Sequence, residues 1–455
     1  MNENTNHNDL QVKISNKQIL SISLPIAASI LVPQINFITN NIFLGHLNQT
    51  GSEALAVAGI TGVFYLIFAV IGNGLNNGLQ SQIARRAGEN NVSAMGNLFY
   101  HGIIIALAMS VASMLITWFV APIILRATMH NQQHVNMAVS FLNIRVLGLP
   151  FLYLYQMRNA VLVGTNNTKL LFYGTTAEAI SNIIFDYGFI YGKLGLPQLG
   201  FNGAAVASVI AEFVGLLVIY FVVKWKGIDQ RLRLFSNWHF NWALTKQILT
   251  TSAPLVAQFA LSIITWEYFY ILIEHHGSTA LAVSNAMRNV FGFFGCFTWA
   301  FASTSNAMVS NIIGQGLQHR VIELIYKIMK LSVICAVAVC IILNLFPQQI
   351  FAIYGQGANF MNAAIPTLRV VSLALIIMSV AVVWLNAVTG TGNTKVNLYI
   401  EILAITIYII YNYWVLEKLQ LGVMYGWASE WLYWFSMLIP SFWYMQKGKW
   451  KNKKI

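Results

Sequence analysis

The sequence predicts an all-α membrane protein with twelve transmembrane helices, in two six-helix lobes related by a pseudo-two-fold axis around a central cavity. Of its 455 residues, 57% are hydrophobic and 9% are charged, whereas soluble globular proteins have about 25% charged residues. The apolar residues form runs of about 20 or more, long enough to cross a hydrocarbon core of about 30 Å. The two halves of the chain also repeat each other. A transmembrane β-barrel would show short alternating segments instead.

We expect twelve membrane-spanning segments, which make membrane lipids a partner of the chain. Their predicted bounds are 18–44, 54–80, 97–120, 138–163, 169–191, 202–224, 247–275, 279–312, 322–346, 361–389, 396–416 and 423–446. Because the number is even, both ends of the chain are expected on one side of the membrane.

The basic residues indicate which side that is. The outer loops would hold only Arg126, Lys193 and Lys418. The inner loops and tails would hold Lys13, Lys17, Arg85, Arg86, Lys169, Lys224, Lys226, Arg231, Arg233, Lys246, Arg320, Lys395 and the tail 447–455. Cytoplasmic loops are enriched in Lys and Arg, so both termini are predicted to be cytoplasmic. These loops account for the net charge of +12, and we expect no nucleic-acid partner.

Short motifs recur in order at nearly constant spacing in the two halves. The matching pairs are SLPIAASIL and SAPLVAQFA (23–31, 252–260), GSEALAV and GSTALAV (51–57, 277–283), VGTNNTK and TGTGNTK (163–169, 389–395), and QLG (198–200, 420–422). Six helices per repeat give both copies the same orientation, which is typical of transporters with a parallel repeat.

This repeat predicts the domain organisation. A cytoplasmic tail (1–17) is followed by an N-lobe (18–224), a cytoplasmic linker (225–246), a C-lobe (247–446) and a basic cytoplasmic tail (447–455).

One carboxylate interrupts an otherwise uncharged apolar run in the N-lobe. Asp186 lies at the expected centre of the fifth segment, and Asn182, four residues earlier, shares its helix face. A carboxylate at mid-membrane costs about 2.5–3.5 kcal/mol on the insertion scale and normally faces a cavity, a partner or an ion path. We therefore interpret Asp186 as a site that binds a coupling ion. The alternative is an aspartate that hydrogen-bonds the backbone at a helix break.

The seventh segment carries Glu267 among aromatic residues, with Tyr268 next to it. A carboxylate beside aromatic faces suits an organic cation, by charge and by cation–π contact. Arg288, after the GSTALAV repeat, would line the C-lobe, and the amides of Gln34 and Asn73 would line the passage. The alternative is that the aromatic residues only face lipid or the core.

Four arginines fall within or near the ends of apolar segments: Arg145, Arg158, Arg288 and Arg369. Several arginines in a cavity would suit an anionic substrate. The alternative is ion pairing with Glu178, Glu212, Glu401 or Glu430, which also lie near membrane segments.

Signals for an enzyme are absent from the sequence. It contains no P-loop, no HExxH and no GxSxG in a hydrolase context. The cysteines Cys296, Cys335 and Cys340 show no metal-binding spacing. We expect no catalytic activity, no cofactor and no metal beyond a possible sodium ion at Asp186.

Several stretches resemble the multidrug and toxic compound extrusion (MATE) family of cation-coupled exporters. They are LP at 24–25, GHLNQTGSEALAVAG (45–59), GNGLNNGLQSQIARRAGE (72–89), NAVLVGTNNTK (159–169) and NIIFDYGFIYGKLGLPQLGFNGAAVAS (182–208). The resemblance covers nearly all of residues 15–445. It implies a V-shaped twelve-helix bundle that exports organic cations in exchange for protons or sodium.

The family's N-lobe cation site combines an acid on the first helix with an Asn-x-x-x-Asp pair on the fifth. The pair matches Asn182 and Asp186, whereas the place of the first-helix acid, five residues before Gly45, holds Asn40. An asparagine can ligate an ion through its carbonyl oxygen but cannot take up a proton. With Ser208 these residues would form an oxygen cage for sodium. On the seventh helix, the place of an acid in some bacterial members holds Ser262, and Glu267 matches a second family position.

The expected function is therefore a secondary active exporter of multiple drugs or organic cations, coupled to protons or sodium by alternating access. We expect a monomer in a plasma membrane, the inner membrane of a bacterium. One alternative is a lipid-linked oligosaccharide flippase of the same superfamily, which would need a cationic groove for pyrophosphate. A membrane-embedded transferase is a third possibility, but it would need clustered polar residues at one interface. The sequence does not distinguish protons from sodium or name the substrate.

Overall fold

The computed structural model describes residues 10–47, 51–129, 131–235, 239–352, 354 and 357–451, and all regular elements in them are helical. The first half contains α1 (Asn16–Gly45), α2 (Gly51–Gly88), α3 (Val92–Thr128), α4 (Gln132–Arg145), α5 (Leu149–Gly164), α6 (Leu171–Tyr191), α7 (Phe201–Trp225) and the short α8 (Ile228–Arg231). The second half contains α9 (Trp242–Glu274), α10 (Ser278–Gly314), α11 (Val321–Leu345), α12 (Pro347–Ala352), α13 (Ala358–Gly390), α14 (Thr394–Asn412), α15 (Val423–Trp427) and α16 (Ser429–Lys447).

Each of the twelve predicted segments falls on one long helix or on two helices in succession, so the predicted fold class is confirmed. Within the described ranges, nine helical stretches are long and apolar enough to cross a membrane. The segment predicted at 138–163 is interrupted by a 3-10 turn at Val146–Gly148, after which α5 begins with Pro150 in its first turn. Proline has no backbone N–H and fits the first turn of a helix, where no hydrogen bond within the helix is lost.

The outer surface of the helix bundle is apolar. Large side chains such as Phe119, Ile123 and Ile439 are among the most exposed in the chain. Polar side chains such as Gln80 and Asn306 are instead fully buried between helices. This inverted arrangement is the one expected where lipid, rather than water, surrounds the helices.

The repeated motifs occupy equivalent places in the two halves. GSEALAV begins α2 and GSTALAV begins α10, while VGTNNTK joins α5 to α6 and TGTGNTK joins α13 to α14. The matching sequences therefore build matching helix starts and turns, which supports two lobes of similar construction.

The two lobes pack closely where α2 lies against α9 and α10. A Cβ on Gly78 would lie 2.2 Å from Ser252 Oγ, and one on Gly88 would lie 2.1 Å from the carbonyl oxygen of Asn311. Ser310 Oγ donates to the carbonyl oxygen of Ser81 over 2.6 Å. We call this region, residues 74–88 of α2 with 252–256 of α9 and 303–314 of α10, the interlobe contact.

The segment before α1 crosses the same region. The backbone N–H of Val12 donates to Asn311 Oδ1 at 3.1 Å, and Gln315 Nε2 donates to the Val12 carbonyl oxygen at 3.0 Å. Gln11 Nε2 donates to the carbonyl oxygen of Gly88 at 2.9 Å. Because these partners lie at the ends of α10 and α2, the segment links both lobes.

Candidate functional site

Asp186 lies inside the N-lobe on α6, and its side chain is 0% exposed. Its helix packs tightly against α7. A Cβ on Gly203 of α7 would lie 2.6 Å from the carbonyl oxygen of Phe189, so the two helices meet backbone to backbone. Neither carboxylate oxygen of Asp186 has a hydrogen-bond partner among the described residues. A buried polar group of this kind marks a place where a proton, an ion or water is expected to bind.

Two of the other predicted cation ligands contact each other across the α6–α7 hairpin, and the third lies on a helix that packs against it. Asn182 Nδ2 lies 3.4 Å from Ser208 Oγ on α7. Asn40 lies on α1, which packs against α6, and Tyr191 anchors this contact by donating to the carbonyl oxygen of Phe43 at 2.7 Å. The Oδ1 atom of Asn40 is also buried without a donor among the described residues. Carboxylate, amide and hydroxyl oxygens are the ligands that hard cations prefer, so this set fits a small cation as well as a proton.

A buried ion pair lies beside this group in the N-lobe. Arg145 donates to both carboxylate oxygens of Glu212, at 2.9 and 2.6 Å. Tyr65 donates to the same carboxylate at 3.0 Å, and the Arg145 guanidinium lies 3.8 Å from the centre of the Tyr65 ring. Arg145 also acts electrostatically on Asp186. The guanidinium of Arg145 is therefore a positive charge in the N-lobe that Glu212 already neutralises.

Breaking this pair is expected to destabilise the N-lobe strongly. Replacing Glu212 with leucine leaves the Arg145 charge buried and unpaired, which costs about 3–5 kcal/mol. The double variant Arg145→Met/Glu212→Leu should recover most of the loss, since replacing both partners of a buried pair by apolar groups is often neutral. Thermal unfolding followed by tryptophan fluorescence measures both changes.

The exposed pair of Arg320 and Glu323 provides the control for this prediction. Its side chains are 43% and 41% exposed, and exposed ion pairs contribute about 0–1 kcal/mol, so Glu323→Leu should change the unfolding temperature little. Equal effects of Glu212→Leu and Glu323→Leu would contradict a stabilising role for the buried pair.

The predicted substrate residues of the C-lobe lie close to one another. Glu267 is half-buried on α9, next to Tyr268. The guanidinium of Arg288 on α10 lies 5.5 Å from the centre of the Tyr270 ring and acts electrostatically on Glu267. Arg288 therefore offsets part of the negative charge that Glu267 would offer to a cation.

The two predicted amides of the passage take different positions. Asn73 Oδ1 on α2 accepts from Gln156 Nε2 of α5 at 2.9 Å, inside the N-lobe. Gln34 on α1 faces the other lobe, because its Oε1 lies 3.3 Å from the place of a Cβ on Gly292 of α10. Gln34 thus lies at the boundary between the lobes.

The four arginines do not form one cationic groove. Arg145 is paired with Glu212, as the sequence allowed, whereas Arg158 pairs with Asp229 of α8 at 3.2 Å. Arg288 is on α10, and Arg369 is exposed. Two of the four charges are therefore neutralised by acids, and the other two are on different helices.

Sequence reasoning missed the role of two buried glutamates in the C-lobe. Glu401 on α14 accepts hydrogen bonds from Gln258, Ser262 and Tyr433, and Glu430 on α16 accepts from aromatic side chains. Among the described residues neither forms a salt bridge, so the expected pairing with arginine does not occur for them. No local pattern signals these clusters, because their members come from different helices.

Comparison with known proteins shows where this architecture occurs. The sequence profile of the MatE family matches residues 25–188 and 254–414, one stretch in each repeat. A probable multidrug resistance protein NorM from Thermotoga maritima is 23% identical over 418 residues, which cover 91% of this chain and 88% of that protein. The multidrug resistance protein MdtK from Yersinia pestis is 21% identical over 401 residues, covering 88% and 85%.

Solved structures show the same fold. A MOP superfamily transporter from Pyrococcus furiosus superposes with a TM-score of 0.89 at 17% identity, over 100% of both chains. An outward-facing multidrug resistance MATE family transporter superposes with a TM-score of 0.86 at 18% identity, again over 100% of both. Since the family profile matches most of the chain, this protein belongs to the multidrug and toxic compound extrusion (MatE) family of membrane transporters.

Proposed function

We propose that the protein exports multiple organic cations across a plasma membrane in exchange for protons or sodium ions. The observation that carries this proposal is the Asp186 carboxylate, which is fully buried in α6 and whose two oxygens have no partner among the described residues. A stable fold gains nothing from such a group, and ionisable groups within membrane helices commonly mark ion paths.

In the proposed cycle, the coupling ion binds at Asp186 with help from Asn182, Asn40 and Ser208. Its binding removes an uncompensated charge and so changes the relative stability of two lobe arrangements. The available energy is sufficient, because one charge that crosses 100 mV releases about 2.3 kcal/mol. A tenfold uphill gradient of a neutral solute costs about 1.4 kcal/mol.

The substrate would bind between the lobes. Glu267 and Tyr268 supply negative charge and an aromatic face, and Gln34 at the lobe boundary with Asn73 supplies amide groups. Arg288 limits the net charge near Glu267, which suits monovalent cations better than polycations. We infer that both termini are cytoplasmic and that the protein acts as a monomer.

The dispersed arginines argue against a flippase for a lipid-linked pyrophosphate. Such a substrate needs several positive charges in one groove, whereas Arg145 and Arg158 are already neutralised by Glu212 and Asp229.

Transport by the purified protein in lipid vesicles tests the proposed function. Vesicles loaded with ethidium, a fluorescent organic cation, are diluted into buffer that is either more acidic or richer in sodium than the interior. We expect one of these gradients to accelerate efflux, which identifies the ion, and an ionophore that collapses that gradient to abolish the acceleration. Efflux equal to that of protein-free vesicles under both gradients, for ethidium and for other cationic dyes, would contradict the proposal.

A further inference from the structure

A second carboxylate without a positive partner lies in the C-lobe. Glu401 on α14 is 1% exposed. Its Oε1 accepts from Ser262 Oγ at 2.5 Å and from Tyr433 Oη at 2.6 Å, and its Oε2 accepts from Gln258 Nε2 at 3.1 Å. These three neutral groups come from α9 and α16, so the carboxylate joins three helices.

The partners of Glu401 can serve both protonation states of the carboxyl group. A hydroxyl group can donate or accept a hydrogen bond. When Glu401 is ionised, Ser262 and Tyr433 both donate to Oε1. When it is protonated, its O–H can donate to one of the two hydroxyl oxygens, which lie 3.4 Å apart and can then bond to each other. Neither state leaves a buried polar atom unpaired, and only hydroxyl hydrogens need to turn.

The other buried glutamate of the C-lobe has fewer hydroxyl partners. Glu430 on α16 accepts from Trp434 Nε1 at 3.1 Å and from Tyr408 Oη at 3.4 Å. An indole N–H only donates, as the amide of Gln258 does to Glu401, so of these two partners of Glu430 only Tyr408 could accept its proton, whereas Glu401 has two such hydroxyls. Glu430 therefore offers a matched comparison of similar burial.

The side chains that hydrogen-bond to Glu401 carry no charge. From α9 it meets Gln258 and Ser262, which do not titrate, and from α16 it meets Tyr433. Glu430, which is also buried, lies three residues before Tyr433 on α16. Within the described part of the chain, no Lys, Arg or His forms an ion pair with Glu401, in contrast to Glu212 in the N-lobe.

We propose that Glu401, with Gln258, Ser262 and Tyr433, forms a proton-binding site in the C-lobe, separate from Asp186. The contacts to its oxygens have hydrogen-bond lengths. A hard metal cation would need about six oxygen ligands, and two of the three contacting groups are hydroxyls that already touch the same oxygen. The site therefore takes a proton rather than a sodium ion.

The position of this site connects protonation with lobe movement, a role that rests on the proposed transport function. Gln258 and Ser262 lie on α9 one to three turns after Ser252, which meets Gly78 of α2 in the interlobe contact. Pro254 lies in α9 between Ser252 and Gln258 and cannot donate a backbone hydrogen bond to the preceding turn. A change in the bonds between Glu401 and α9 thus acts on a helix that holds the two lobes together.

Infrared difference spectroscopy of the full-length protein in lipid tests proton binding independently of transport. The carbonyl stretch of a protonated carboxyl group is recorded while pH is varied at constant sodium concentration. We expect a pH-dependent band that Glu401→Gln removes and that Glu430→Gln retains. Ser262→Ala and Tyr433→Phe keep the carboxyl group but each remove a hydrogen bond, so each should shift the frequency of that band.

The proposal is overturned if the band is unchanged in Glu401→Gln, or if sodium at constant pH removes the band by displacing the proton. Should Glu401→Gln fail to fold, unchanged band frequencies in both Ser262→Ala and Tyr433→Phe would overturn it instead.

Proton counting in vesicles then tests the role in transport. If Asp186 and Glu401 each carry one proton, the number of protons exchanged per substrate should fall from about two to about one in Glu401→Gln. A titrating band at Glu401 without any gradient-driven efflux by the wild type would retain this site and reject the exporter function. Gradient-driven efflux by a protein that lacks the band would support the exporter function and reject the proton site at Glu401.

Discussion

Replacing Asp186 with asparagine is expected to abolish gradient-driven efflux while the protein stays folded. Asparagine has nearly the same shape as aspartate but carries no charge and takes up no proton. Because the carboxylate oxygens have no partner among the described residues, the substitution breaks no hydrogen bond. We therefore expect the unfolding temperature to stay the same or rise, since burying an uncompensated charge is costly. Efflux under the driving gradient should fall to the level of protein-free vesicles.

Asp229→Asn is the control for this prediction. It makes the same chemical change in α8, where the aspartate pairs with Arg158, and should retain coupled efflux although the unfolding temperature falls, because Arg158 loses its charged partner. Wild-type efflux by Asp186→Asn would show that the coupling acid lies elsewhere, and Glu267 and Glu401 would become the candidates.

Alanine at Gly88 or Gly314 is expected to force the lobes apart at the interlobe contact. A Cβ on Gly88 would lie 2.1 Å from the carbonyl oxygen of Asn311, and a Cβ on Gly314 would lie 2.1 Å from that of Arg85. Both obstacles are backbone atoms, which cannot turn away as a side chain can. Overpacking of this kind costs about 1–3 kcal/mol, which corresponds to a shift of roughly 5- to 150-fold between two lobe arrangements.

A cysteine at Ser310 reports this change. Ser310 is buried in the interlobe contact, so a water-soluble maleimide should label Ser310→Cys faster once the contact opens. The background protein has Cys296, Cys335 and Cys340 replaced by alanine. Gly62→Ala is the control, because it adds a Cβ to the same helix α2 with nothing within 4 Å. Labelling rates in Gly88→Ala and Gly314→Ala equal to the rate in Gly62→Ala would contradict the prediction.

Several features of this protein are visible in its sequence because they depend on local composition or on similarity between segments. An apolar run long enough to span a bilayer is recognised without knowledge of its neighbours, which is why the twelve segments agree with the helices. The repeat is detected because equivalent turns keep their glycine, asparagine and threonine residues. Asp186 stands out because a carboxylate deep inside an apolar run is unusual wherever the helix packs.

Only the tertiary structure decided which buried groups meet. The sequence allowed Arg145 four acidic partners, and the fold selected Glu212 because α4 packs against α7. The sequence analysis did not offer Asp229 as a partner for Arg158, because that acid lies in a predicted linker rather than in a membrane segment. The cluster around Glu401 joins residues from positions 258 to 433. Hydrogen bonds depend on distances of about 3 Å between side chains, and such distances are determined by how helices pack, not by the order of residues along the chain.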